Sequence, residues 1–319
     1  MIRVLFVGFL NDYEKLEIES LNIDIDARIL RQNKFIRSFL LYVGKHKFNI
    51  YIYLISFFYK KFIVDNRSSI VIFDDNPISL SLLKLKLKSG NTSCFKILLR
   101  NNISDKNKKD IVFFKKIGVE IFTFDLHDCE KYGLKYYHQY CSGFNFIKEK
   151  NKVPINECRY GLYFLGLDKG RARIVNKIDT ISGIKNNLIQ IKYQPEYFID
   201  KIKKIFRLDI KYLNESYVQH LYYMINSSFI IDIVKDGQSG LTMRTVEAVM
   251  ANKKIITNNV SILESIFYDA ENVFYFNDVD TIDINEFKNF LKNPEVVKKY
   301  DKIDFNYSFD SVILGVLDR

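Results

Sequence analysis

Short apolar runs rich in β-branched residues recur along the chain. Polar turns separate them, as do stretches whose apolar residues fall at helical spacing. Residues 2–7, 70–73, 94–99, 119–124, 159–165, 188–193, 229–234 and 253–257 read as buried strands. The run after Pro77 and the segments 217–225 and 241–250 read as helices. Residues 262–276 read as a helix followed by a strand, and 294–319 as a terminal helix. Strands alternating with helices predict an α/β chain built on parallel sheets.

The most informative stretch is 229–259, in which strand, glycine turn, helix and strand follow without a break. The turn spans Lys235 to Gly240, and the helix carries apolar residues at Leu241, Val246, Val249 and Met250. The first turn of a helix leaves backbone N–H groups unpaired, and its dipole places partial positive charge there. Gly237 and Gly240 would let a phosphate approach the backbone. Ser239 and Thr242 add hydroxyls, Arg244 a cation, and Glu247 an acceptor for ribose hydroxyls. A diphosphate joined to a sugar suits this set. The spacing is neither that of a Walker loop nor the G-x-G-x-x-G dinucleotide fingerprint. A second strand-turn-helix junction holds Gly166, Asp168, Lys169, Gly170 and Arg171. Its two cations are natural diphosphate contacts.

The segment 238–248, QSGLTMRTVEA, resembles the donor-site helix of bacterial GT-B glycosyltransferases that build lipopolysaccharide and capsule. The likeness is best over 160–258. It implies an α/β fold of two Rossmann-like domains with a central cleft. It also implies a nucleotide-sugar donor held by Lys169, Arg171, Gln238, Ser239, Gly240, Leu241, Thr242, Arg244 and Glu247. Gly240 and Glu247 match the family's glycine turn and ribose glutamate. Gln238 stands where the commoner pattern has a glutamate. The implied activity is transfer of a hexosyl or deoxyhexosyl group, such as rhamnose, to a lipopolysaccharide core. A related lipid-linked or phosphorylated saccharide would serve as well. The donor is then a substrate, and neither a cofactor nor a metal is expected.

At 319 residues the chain is long enough for two domains, each with its own core. The polar stretch 148–156, broken by Pro154, is the best linker. The expected division is therefore 1–155 for the acceptor, 156–304 for the donor, and a helix over 305–319 packing back on the first domain. Candidate general acid–base groups lie on the first domain. Asp12 follows the first strand; Asp125, His127 and Asp128 follow the strand at 119–124. A helix-capping turn is an equal reading of these acids. The run from Asp125 to Leu134 is similar to a pattern of the same transferases. Asp74 and Asp75, before Pro77, read as a cap rather than as metal ligands.

The net charge of +10 is uneven. Residues 1–150 carry 25 Lys and Arg against 16 Asp and Glu, and the remainder carries 23 against 22. A basic first half calls for an anionic partner: membrane surface, phosphorylated glycolipid or nucleic acid. No helix-turn-helix, zinc-finger or RNP signature accompanies it, so nucleic acid is not expected. A basic nucleic-acid-binding protein and a non-catalytic sugar-binding protein on a degenerate GT-B fold are the alternatives. Within this half, Arg28, Arg31, Lys34 and Arg37 recur at helical spacing. The apolar run 48–59 is too short to span a bilayer, and reads as a buried helix or as an interfacial one gripping anionic lipid. The four cysteines form no C-x-x-C, and no signal peptide is visible. The expected location is the cytoplasm, peripheral on the inner face of the cytoplasmic membrane.

Overall fold

The structure is a computed structural model. It describes residues 2–46, 48–65, 69–90, 93–105, 107–151, 157–193, 215–235, 239–296 and 305–318. The chain forms two compact units, one of Met1–His138 with Phe309–Arg319 and the other of Gln139–Ser308.

In the first unit, β1 (Ile2–Val7), β2 (Ile25–Ile29), β3 (Ile70–Phe73), β4 (Cys94–Leu98), β5 (Glu120–Thr123) and β6 (Lys135–Tyr136) form one sheet. Its order is β2-β1-β3-β4-β5-β6, and every pairing is parallel. Helices α1 (Asp12–Glu19), α2 (Lys34–His46), α3 (Phe48–Phe58), α4 (Lys60–Val64), α5 (Pro77–Lys88), α6 (Lys108–Lys116) and α7 (Leu126–Tyr132) connect the strands. Val7, Val71, Phe73 and Ile97 pack with Leu40 of α2, Ile55 of α3 and Leu82 of α5. Each such side chain contributes roughly 1.5–3 kcal/mol by leaving water.

The order of strands reverses between β1 and β3, where ligands of open α/β sheets collect. Gly8 follows β1 there at φ +101°, and a Cβ on it would lie 1.9 Å from Asp74 Oδ1. Asn76 caps α5, accepting from the Ser79 amide at 3.0 Å, with Pro77 in the first turn. Asp74 is therefore not the cap. It accepts from Asn76 Nδ2 at 2.6 and 2.7 Å. Asp75 accepts from the Arg100 amide at 3.1 Å.

Burial pushes the Asp74 carboxyl up to about 7, and the neighbouring Asp75 adds to the rise. A raised folded-state pKa means that the folded protein holds a proton the unfolded chain has released. Asp74 thus lends stability that is full below about pH 4 and lost as pH rises through about 7. Urea midpoints measured between pH 5 and 8 should fall by the equivalent of roughly 1–3 kcal/mol. Asp74→Asn should remove that slope. An unchanged slope in the variant would show that Asp74 does not hold the proton.

The last helix of the chain, α13 (Phe309–Leu317), belongs to this first unit. Phe309 packs on Phe6 with ring centroids 6.2 Å apart. Asp310 Oδ1 accepts from the Asn22 amide at 2.6 Å, and the buried Lys96 donates to the Val316 carbonyl.

The second unit holds β7 (Tyr160–Leu167), β8 (Leu188–Lys192), β9 (Ser227–Asp232), β10 (Lys254–Thr257) and β11 (Val273–Tyr275). They form a parallel sheet in the order β11-β10-β9-β7-β8. Helices α8 (Phe144–Lys150), α9 (Ala172–Ser182), α10 (Tyr217–Ile225), α11 (Met243–Met250) and α12 (Ile284–Lys292) accompany them. The core joins Leu162, Phe164, Ile231 and Ile256 to Val175, Ile178 and Phe287.

Several sequence expectations are corrected. Residues 148–150, read as linker, end helix α8, which packs within the second unit; Asn151 donates to the Ala251 carbonyl at 3.0 Å. Residues 152–156 lie outside the described residues. The spacing of Arg28, Arg31, Lys34 and Arg37 is not one helical stripe, because Arg28 sits in β2 and α2 begins only at Lys34. The run 48–59 is buried on one face alone: Tyr51 and Ile55 are inside, while Tyr53 and Phe57 are 72% and 67% exposed. Residues 260–262 form a single 3-10 turn rather than an α-helix. The terminal segment is a 3-10 turn at Phe305–Tyr307 and then α13, not one helix from 294.

Candidate functional site

The second sheet reverses its order between β7 and β9, and the two cationic turns of the sequence follow these strands. After β7 the chain turns back through Lys169 at φ +46° and Gly170 at φ +85°. Asp168 Oδ1 accepts from the Ala172 amide at 2.7 Å and so opens α9. Arg171 then reaches back across the strand ends. Its Nη1 donates to the Ile233 carbonyl at 3.1 Å, its Nε to Asp168 O at 3.3 Å, and its Nη2 to Leu167 O.

Arg244, on α11, arrives from the other side and donates to the Leu165 carbonyl. Both guanidinium groups lie over the Phe164 ring, 5.5 and 5.1 Å from its centroid. Gly166 lies directly beside both groups. A Cβ there would sit 3.2 Å from Arg171 Nη2 and 3.5 Å from Arg244 Nη2. The Arg244 Nε is buried with no partner among the described residues.

The electrostatics are those of a cationic centre short of negative charge. Burial, and then the charge of Arg244, lower the Arg171 pKa. Partial burial, and then the charges of Lys235 and Arg171, lower that of Lys169. The counter-charges are Asp168 and Asp232, the latter at the end of β9 with Oδ1 3.9 Å from Arg244 Nη1. Asp232 Oδ2 already accepts from the hydroxyls of Thr242, at 2.6 Å, and Thr245. Like charges held together by backbone carbonyls cost free energy that a bound anion would offset.

The turn before α11 is firmly tied. Thr242 is the helix cap, its side chain accepting from the Thr245 amide at 3.0 Å. Gly240, at φ +78°, donates its N–H to Ser261 Oγ at 3.1 Å, and its carbonyl accepts from Asn259 Nδ2 at 3.0 Å. The Leu241 carbonyl accepts from Gln139 Nε2 at 3.2 Å. Ser239 is partly buried beside them. Gln238 lies outside the described residues, with Asp236 and Gly237. The Gly240 amide is thus already satisfied, so positive charge here comes chiefly from the two arginines.

Glu247, expected to accept from ribose hydroxyls, lies deep in the second unit. It is 1% exposed. One carboxylate oxygen accepts from the Tyr217 hydroxyl and the other from His220 Nε2 at 3.0 Å. With Nε2–H donating, His220 Nδ1 accepts from the Tyr163 hydroxyl at 2.7 Å. Glu247 thereby links α11 to α10 and β7. Each of its oxygens thus has a partner within the unit, and the carboxylate is buried beside the turn.

On the first unit, Asp12 is exposed in the first turn of α1, and Asn11 takes the capping position there. Asp125 caps α7, accepting from the Asp128 amide at 3.1 Å, and also accepts from Asn102 Nδ2. Asp128 Oδ2 accepts from the Ile103 amide at 2.9 Å. Of the two readings of this turn, the geometry is that of capping and loop tethering. His127 is exposed beside it. Among the described residues, no group of three or more His, Cys, Asp and Glu is placed to hold a metal ion.

Sequence reasoning missed Lys235 as a partner of Lys169, Phe164 as the platform for two arginines, and the Tyr217 and His220 contacts of Glu247. Lys235 was visible in the turn itself. Its convergence with Lys169 needs the β9-β7 pairing, which no local pattern displays.

No family model matches the chain, and no curated protein matches it. Solved structures do. Sucrose-phosphate synthase from Thermosynechococcus elongatus superposes with a TM-score of 0.62 at 8% identity, covering 100% of this chain and 98% of that one. The lipopolysaccharide outer core galactosyltransferase WaaB, in its apo form, gives 0.55 at 12%, covering 99% of each. UDP-GlcNAc 2-epimerase from Neisseria meningitidis, bound to UDP-GlcNAc, gives 0.56 at 10%, covering 100% of each. At such identities the likeness is one of fold: two Rossmann-like α/β units, the GT-B fold.

Proposed function

We propose that the chain is a glycosyltransferase that takes a nucleotide sugar as donor and holds its diphosphate at Arg171 and Arg244. The observation that carries the reading is the pairing of these two guanidinium groups over Phe164, at the switch point of the second sheet. Lys169 and Lys235 extend the positive field, and Ser239, Gly240, Leu241 and Thr242 form the adjoining turn. The nucleotide sugar named in the epimerase structure is consistent with this ligand class. Arginine forks bind phosphate oxygens with charge-assisted hydrogen bonds and need no metal bridge.

The acceptor in this reading is a lipopolysaccharide core or related lipid-linked saccharide, and the transferred sugar a hexose or a deoxyhexose such as rhamnose. Asp12 and His127 are the exposed groups among the four candidate bases. The enzyme works at the inner face of the cytoplasmic membrane. Two features support that location. No Asp or Glu occurs between Asp26 and Asp65, a stretch that holds eight Lys and Arg. The outer face of α2 and α3 exposes Phe35, Tyr42, Tyr53 and Phe57. Aromatic side chains among cations suit the headgroup level of an anionic bilayer. Among the described residues, no helix is long and apolar enough to cross a membrane.

The test is calorimetry with uridine and other nucleoside diphosphates in the presence of a chelator. Binding is expected without divalent metal. No binding with or without metal would sink the donor reading, and strict metal dependence would reopen Asp74 and Asp75 as ligands.

A further inference from the structure

A cysteine and a lysine meet in the second unit, at the end of its sheet opposite to the paired arginines. Lys253 Nζ donates to Cys158 Sγ at 3.3 Å. Cys158 stands just before β7 and Lys253 just before β10, so both lie at the amino ends of the parallel strands. Cys158 Sγ is also 4.0 Å from the Ile225 carbonyl, where α10 ends. Lys253 is held by its backbone, whose N–H donates to the Ala248 carbonyl of α11 at 2.9 Å.

The lysine is buried and the cysteine is reachable. Lys253 is 4% exposed, and among the described residues its ammonium has no carboxylate partner. Burial lowers its pKa, and Cys158 works against that fall. An unbalanced buried ammonium is costly. Two states of the pair avoid that cost with the same number of protons. With the proton on Nζ, a Cys158 thiolate balances the ammonium; with the proton on Sγ, the amine is neutral. The first state makes the sulfur a nucleophile, and the second makes the nitrogen one. Cys129 is the contrast: burial, and then Asp125, Asp128 and Glu130, push its thiol up to about 11. Cys158 is partly exposed, within reach of a small oxidant.

We infer that Cys158 and Lys253 form an oxidant-operated cross-link, made by hydrogen peroxide and undone by thiols. The thiolate attacks the peroxide, and an S–O bond forms as the O–O bond breaks. The leaving hydroxide takes a proton from the Lys253 ammonium and becomes water. Sulfur is oxidised to the sulfenic acid, and the peroxide is reduced. The neutral amine, 3.3 Å away at the distance of a near-attack pair, then attacks Sγ. An S–N bond forms, the S–O bond breaks, and hydroxide leaves with one amine proton as a second water. The resulting sulfenamide joins the start of β7 to the turn between α11 and β10, closing a loop of 95 residues. Two thiols reverse it. The first bonds to Sγ and frees the amine; the second displaces Cys158 as the two leave as a disulfide. None of this depends on the transferase reading.

The experiment treats the whole protein, freed of added thiols, with hydrogen peroxide and maps its peptides by mass. A linked peptide pair holding Cys158 and Lys253 is expected, two hydrogens lighter than the sum of its parts. Dithiothreitol should return both peptides to their parent masses. Lys253→Met keeps the sulfur and removes the amine. It should gain one oxygen at Cys158, trapped by dimedone, and form no link. Closing so long a loop restricts the unfolded chain, so the bridged parent should melt at least about 5 °C above the reduced one. Cys158→Ser should show neither the link nor the rise. A parent whose Cys158 stays a thiol while Cys94 is oxidised overturns the proposal. So does a parent whose Cys158 is oxidised without a link to Lys253. A bridged protein that melts like the reduced one overturns the hold of the cross-link on the fold.

Discussion

Arg171→Gln combined with Arg244→Gln should lower affinity for a nucleoside diphosphate at least about 100-fold. Each guanidinium lost removes a charged hydrogen-bonding group worth roughly 1.5–3 kcal/mol, and 100-fold is about 2.7 kcal/mol. The two contributions need not add fully, since the groups share the Phe164 face and repel each other. Arg171 also ties the ends of β7 and β9 through carbonyls, so a melting curve must accompany the titration. Arg171→Lys separates the two roles. It keeps the charge but loses the fork, and should retain more affinity than the glutamine variant. If the double variant binds like the parent while melting normally, the paired arginines are structural, and the diphosphate reading falls.

Glu247→Ala should destabilise the second unit by roughly 2–5 kcal/mol, because it leaves two buried donors unsatisfied at about 1–3 kcal/mol each. The substitution strands the Tyr217 hydroxyl and His220 Nε2–H in a site that water does not reach, and it uncouples α11 from α10. Glu247→Gln retains one accepting oxygen and should fall between parent and alanine variant. Urea unfolding followed by tyrosine fluorescence reads the loss. A fully stable alanine variant with weakened diphosphate binding would instead return Glu247 to the ribose role implied by the family likeness.

The strands and helices that bury one clean face were legible in the sequence, several with their limits. Ile2–Val7, Ile70–Phe73 and Tyr217–Ile225 occupy the residues their apolar patterns mark. The GT-B likeness carried by 238–248 agrees with two parallel sheets of six and five strands. β2 escaped notice because none of its five residues is buried, and Asp26 and Arg28 interrupt its pattern. β6 is two residues long, below what any periodicity can show.

At the candidate site, the sign of charge was readable and the partners were not. Lys169, Arg171 and Arg244 announce themselves as cations beside glycines. Whether a carboxylate on a helix faces solvent or core depends on what packs against it. For Glu247 that is α10, which arrives from far along the chain. The same holds for Asp125 and Asp128, whose partners Asn102 and Ile103 stand more than 20 residues earlier.

The docking of α13 sets the order in which the molecule can be completed. Phe6, Lys96 and Arg100 lie under a helix that is synthesised only after the 170 residues of Gln139–Ser308. At about 5–20 residues per second, that delay lasts roughly 10–35 s. During it the first sheet has its strands but not its cover, and the Lys96 ammonium lacks its carbonyl partner. The first unit is therefore completed only after the second has been synthesised. Until then it presents apolar surface that α13 covers in the folded protein.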